Sequence, residues 1–164
     1  MILPQRSEWQ QLLPAAEQVL QVLRAHFARY TPSANEAQTE EDWIRPVLRA
    51  LGHTFEVQAA LKTPDGIKKP DYIFYRDQAA QLAQKGHVLA DDLPSRGGLA
   101  VGDAKHWDRS LDSTLKAKSS DPFSNKNPLF QIHFYMLHSG AEWGILTNGR
   151  LRSRRRSTTP CGPS

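Results

Sequence analysis

Leu99-Ala100-Val101-Gly102-Asp103-Ala104-Lys105 joins a run of small and apolar residues to an acid and a lysine two positions apart. In a β-strand alternate side chains share a face, so Asp103 and Lys105 project together while Gly102 and Ala104 face the other way. The apolar lead-in predicts a central strand, where an ionised acid without a partner is expensive. Upstream, Lys69-Pro70-Asp71-Tyr72-Ile73-Phe74-Tyr75 sets a second acid at the head of an aromatic, branched stretch that also reads as a strand.

Other elements follow from periodicity and punctuation. Trp9, Leu12, Leu13, Ala16, Val19, Leu20, Leu23 and Phe27 recur at helical spacing over 7–30, and Pro14 places the true start near Leu13. A second helix is expected over 35–51, with Trp43, Ile44, Val47, Leu48 and Leu51 as its stripe, a kink at Pro46 and Gly52 as its stop. Stepping that stripe back by fours reaches Glu40 and then Glu36. Strands are expected over 53–60, 68–75, 99–107 and 141–147, and helices over 77–85 and 128–138. A loop is expected over 86–98, and a mobile loop over 108–127. Trp107 and Trp143 are expected in the core. This order predicts an α/β fold with a mixed central sheet flanked by helices.

Two acids and a lysine on neighbouring strands have a definite chemical use. Mg²⁺ takes hard oxygen ligands, usually one or two carboxylates plus waters and phosphate oxygens. Asp71 and Asp103 are the expected carboxylate ligands, with the Ala104 carbonyl as a further oxygen and Glu36 or Glu40 completing the acidic cluster. Lys105 is expected to orient the attacking water or to neutralise charge on a phosphate. Taken singly, each motif has a plainer reading, since Pro-Asp often opens a turn and Asp-x-Lys is often a surface ion pair. Gln131, Tyr135 and His138 add a polar stripe on one face of the 128–138 helix.

Asn35-Glu36, Pro46, Leu51-Gly52, Pro70-Asp71, Gly102-Asp103-Ala104-Lys105, Asn127-Pro128, Gln131 to Tyr135 and Leu146-Thr147-Asn148-Gly149 follow one another in order. In this ordered set the chain resembles the N-terminal nuclease domain of restriction-modification enzymes, as found in restriction endonuclease–methyltransferase fusions and type I restriction subunits. The resemblance covers residues 33–150, behind an N-terminal helical segment at 1–32. It implies a restriction-endonuclease-like, PD-(D/E)xK core that hydrolyses DNA phosphodiester bonds with magnesium (Mg²⁺). Asp71 and Asp103 then match the metal ligands and Lys105 the catalytic lysine. Glu36 matches the acid of the leading helix, with Glu40 the alternative. Gln131 and Tyr135 match a QxxxY element that positions DNA or the lysine. Double-stranded DNA is the implied partner, with a methyltransferase or specificity module in full-length relatives. Lys68, Lys69, Lys116 and Lys118 are the expected phosphate contacts, with Lys62, Arg109 and Lys126 of lower weight.

Charge does not support that reading. The 164 residues hold 21 Lys and Arg against 17 Asp and Glu, a net +4. Five of the arginines (150, 152, 154, 155 and 156) follow Gly149, and residues 1–149 have 16 basic against 17 acidic residues. The basic excess thus belongs to the segment RSRRRSTTPCGPS at 152–164. Residues 151–164 are expected to be a disordered basic tail produced by truncation or frameshift. The alternative function is accordingly an inactive remnant that at most binds DNA. No membrane span or secretory signal is visible, and the single cysteine, Cys161, precludes an internal disulfide. A cytoplasmic location is expected.

Overall fold

The computed structural model describes residues 6–111, 127–150 and 152–156, with side chains described for 9–111 and 127–150. Helix α1 spans Arg6–Phe27 and contains Pro14. It therefore starts well before the expected Leu13. Proline lacks a donor and crowds the carbonyl four residues back, but Gln10 and Pro14 are both exposed, so solvent can serve that carbonyl.

The leading helix runs as α2 (Glu36–Thr39), a π turn (Glu40–Ile44) and α3 (Arg45–Ala50). The Asn35 side chain caps it by accepting from the Gln38 N–H at 3.2 Å. Sequence predicts a kink at Pro46, and the structure has the π turn immediately before it. Pro46 has no N–H for the Asp42 carbonyl, and that oxygen instead faces His26 Nε2 at 2.8 Å. Leu51 caps the helix and Gly52 leaves it at φ +77°.

Strand β1 (Thr54–Val57) is followed by a hairpin of β2 (Leu61–Thr63) and β3 (Gly66–Lys68), turned at Pro64-Asp65. Next come β4 (Tyr72–Tyr75), α4 (Gln78–Gln84), β5 (Gly98–Ala104), α5 (Pro128–Ser139), β6 (Trp143–Thr147) and β7 (Arg152–Arg156). The main sheet has the order β1-β4-β5-β6-β7. Its β5–β6 pair is parallel, with α5 between the two strands in sequence, and its other pairs are antiparallel. The molecule is thus a mixed α/β structure, as expected.

Three expectations need correction. The 68–75 strand is two strands broken at Lys69-Pro70-Asp71. Pro70 cannot donate to a ladder, and the Asp71 side chain takes the Ala104 N–H. The 86–98 loop contributes to the core: Leu89 and Leu93 are buried, Leu89 bridges Leu61, and Leu93–Arg96 is a short 3₁₀ turn. Within the tail, Arg152–Arg156 pairs with β6 as an edge strand. An edge strand is held by backbone groups, which an arginine-rich segment has in full. Residues 112–126, 151 and 157–164 lie outside the described residues, and with them most of the expected 108–127 loop, Lys116, Lys118, Lys126, Cys161 and the rest of the tail.

The sheet has a core on each side. Ile73, Val101 and Leu146 pack with Ile132 and Met136 of α5. Tyr72, Phe74, Ala100 and Ala104 pack with Ile44 and Leu48 on the opposite face. Glycine permits both layers to close. A Cβ at Gly144 would stand 2.5 Å from Met136 Sδ, and one at Gly102 would stand 2.8 Å from a Phe74 ring carbon. Among the described residues, no helix is long and apolar enough to cross a membrane.

Candidate active site

Alternation along β5 sends Val101, Asp103 and Lys105 toward α5, and along β4 it sends Ile73 the same way, with Asp71 just ahead of the strand. Asp103 is 2% exposed, and its Oδ2 lies 2.7 Å from Lys105 Nζ. The two charges are in contact, but the carboxylate oxygen has no partner aligned for a hydrogen bond. Asp71 Oδ2 accepts the Ala104 N–H at 2.7 Å, which fixes the second carboxylate to the end of the strand that carries the first. Glu36 Oε1 is 3.8 Å from Lys105 Nζ.

The electrostatics follow from burial. Asp103 is pushed up to about 8 by burial; Lys105 opposes the shift and Asp71 adds to it. Burial raises Asp71 as well, against the Ala104 N–H and Lys105 and with the help of Glu36. Burial alone would lower Lys105, but Asp103, Glu36 and Asp71 together raise it. Three carboxylates share one ammonium, so the fully ionised cluster carries excess negative charge.

Glu36 and Glu40 stand one helical turn apart, about 5.4 Å along the axis. The structure separates their roles. Glu40 is 4% exposed, accepts from the Tyr72 hydroxyl at 2.7 Å and lies 3.5 Å from Arg45. Tyr72 faces the α3 side of the sheet, so Glu40 is engaged on the side opposite Asp103. Glu36 is the acid that reaches Lys105. The Glu40–Tyr72–Arg45 group was not foreseen. Arg45 sits five residues from Glu40 across the π turn, a spacing that a four-residue step does not reveal.

On α5, Gln131 Nε2 donates to the Tyr135 hydroxyl at 3.2 Å. Tyr135 is buried, and its hydroxyl is raised by burial, with Gln131 opposing and Asp103 and Asp71 adding to the shift. The pair therefore stands beside the acids, whereas His138 packs on Phe134 with ring centres 4.2 Å apart. Lys69 is exposed and Lys68 half-buried, at the end of β3 and ahead of Asp71. Arg109 is buried, contrary to a phosphate-contact role on the surface. Trp107 is half-buried, while Trp143 is exposed at a sheet face rather than in the core.

Among the described residues, no three acidic, histidine or cysteine side chains form a preformed metal cage. The donor set still suits Mg²⁺, which binds through one or two carboxylates and otherwise keeps its waters. Asp71 and Asp103 provide that pair, and the unaligned, buried Asp103 Oδ2 is the oxygen such a cation would satisfy. Ala104 enters the site through its N–H. A separate cavity of about 490 Å³ lies between α3 and the sheet, lined by Trp43, Leu48, Phe74 and Trp143 among others, and none of the four charged site residues borders it. No family model matches this chain, and no curated protein or solved structure matches it.

Proposed function

We propose that the chain is a Mg²⁺-dependent endonuclease domain with a restriction-endonuclease-like, PD-(D/E)xK core, hydrolysing phosphodiester bonds of double-stranded DNA in a restriction-modification system in the cytoplasm. The observation that carries this reading is the meeting of Glu36, Asp71, Asp103 and Lys105 at one end of β5, with Gln131 and Tyr135 behind them. The strand order, with a parallel β5–β6 pair around α5, supports the finer fold assignment.

Asp71 and Asp103 would hold the cation, with Glu36 at its rim. When bound, it supplies Lewis acidity and lowers the pKa of a coordinated water. The chain's own groups do the rest. The Ala104 N–H holds Asp71 in a single orientation. Lys105, kept protonated by three neighbouring acids, offsets negative charge growing on the phosphoryl oxygens. Gln131 presents a donor from the same helix face as Tyr135, where a DNA phosphate can accept it. Lys68 and Lys69 supply positive charge on the approach.

The test is cleavage of plasmid DNA with Mg²⁺ by the wild-type chain beside Asp103→Ala and Lys105→Ala. The expected result is a loss of about 10²–10³-fold or more in each variant. Equal cleavage by all three rejects the site. DNA binding without cleavage by the wild type would instead assign the chain as a remnant that retains only binding. A methyltransferase or specificity module remains the proposed partner for sequence recognition.

A further inference from the structure

We propose that Asn148 is a positioning residue for Lys105, acting from the end of β6 through the turn that follows the lysine. Lys105 lies one residue beyond the end of β5. Its ammonium sits on a flexible four-carbon stem, so where it points depends on how the backbone leaves the sheet. Two adjacent residues of the parallel neighbour hold that backbone. The Lys105 N–H donates to the Thr147 carbonyl at 2.8 Å. At the far end of the turn, Asn148 Nδ2 donates to the Arg109 carbonyl at 2.9 Å, in a buried bond. Between these two ties the turn closes on itself, with the Arg109 N–H on the His106 carbonyl at 2.9 Å.

The Asn148 side chain is fixed at both ends. It is 5% exposed, and its Oδ1 accepts the Arg150 N–H at 3.0 Å. That second bond ties the carboxamide to its own loop, so the first sets the turn relative to β6 rather than following it. Arg150 and Asp108 also join the two loops, but at 3.9 Å and with both side chains exposed, which makes the buried bond the firmer tie. The same loop reaches the helix that carries Glu36: Trp43 Nε1 donates to the Gly149 carbonyl at 3.0 Å. Residues 147–150 thus grip the exit from Lys105 and the helix of Glu36, and Lys105 Nζ lies 2.7 Å from Asp103 and 3.8 Å from Glu36. Small displacements of such a group are expensive in rate. The catalytic use of Lys105 rests on the nuclease reading, whereas the hold of Asn148 on its turn does not.

Amide hydrogen exchange and plasmid cleavage with Mg²⁺ together test it. The variants are Asn148→Ala and Asn148→Leu, which keeps the volume and adds no charge, with folding checked by circular dichroism. Exchange at the Lys105 and Arg109 amides should quicken about tenfold or more, while that at Ile73 and Val101 stays unchanged. The kcat should fall about 10–100-fold at an unchanged KM for DNA. In a Lys105→Ala background the same substitutions should cost less than about threefold, because the group they position is gone. Four outcomes overturn the proposal: unchanged exchange at 105 and 109, an active wild type whose kcat is indifferent to both variants, an equal loss with and without Lys105, or two variants that fail to fold, the last two making Asn148 a structural residue. Faster exchange in variants of a wild type that cuts no DNA would support the hold of Asn148 on the turn and reject the nuclease reading instead.

Discussion

Glu40 and Asp103 are both acids with almost no solvent exposure, on opposite faces of one sheet. Glu40 is partnered by the Tyr72 hydroxyl and by Arg45. Asp103 touches one ammonium, and its Oδ2 lacks an aligned donor. Burial raises both, and Asp71 adds to both shifts; Tyr72 and Arg45 oppose that of Glu40, while Lys105 alone opposes that of Asp103. One acid is arranged to hold helix to sheet. The other is buried against a second acid with a single ammonium to offset it, the kind of arrangement from which the proposed site is read.

Four experiments can break or sharpen this contrast. The largest effect is expected in cleavage: Asp103→Ala should lose at least ~10³-fold in rate, about 4 kcal/mol, while Glu40→Gln should retain most activity in a plasmid assay. Glu40→Ala should act chiefly on stability, because it strands the Tyr72 hydroxyl and leaves Arg45 with Glu41 as its acid. A loss of about 2 kcal/mol in urea unfolding is expected, and a neutral result would remove its structural role.

The third experiment concerns pH without divalent metal. The Asp103 carboxyl is raised from 3.8 to about 8 on folding. Between those values the folded chain keeps a proton that the unfolded chain has released, so this group lowers stability as pH rises through that window. Asp103→Asn removes the effect. Its melting temperature should exceed that of the wild type at pH 9, by the equivalent of ~1–2 kcal/mol, and should match it near pH 4. A constant difference across pH would show that the ionisation of Asp103 is not the cause. The smallest effect is expected for Tyr72→Phe, about 1 kcal/mol from one lost hydrogen bond, measured by the same unfolding curves.

The sequence made half of this contrast legible. Asp103 and Lys105 could be placed on one face because strand alternation has a period of two and depends on nothing distant. The choice between Glu36 and Glu40 could not be made, since both lie on the same stripe and the answer rests on where the sheet ends relative to each helical turn. The Glu40 partners were hidden further by the π turn, which shifts Arg45 out of four-residue register. β7 escaped notice because its pairing uses the backbone, while its arginines carry no apolar pattern. Pro14 and Pro70 show the two outcomes of one rule. The first is absorbed on an exposed helix face, and the second divides a stretch that composition alone reads as a single strand.

Pro46 has a consequence beyond the shape of its helix. By withholding a donor it leaves the Asp42 carbonyl as a vacant socket on the helix wall, and His26 of α1 plugs it. The docking address of one helix is thus written in another as a missing atom. Refilling the socket with an ordinary residue at 46 would satisfy that oxygen from within and leave α1 to the ring contacts of His26 and Phe27 with Trp43.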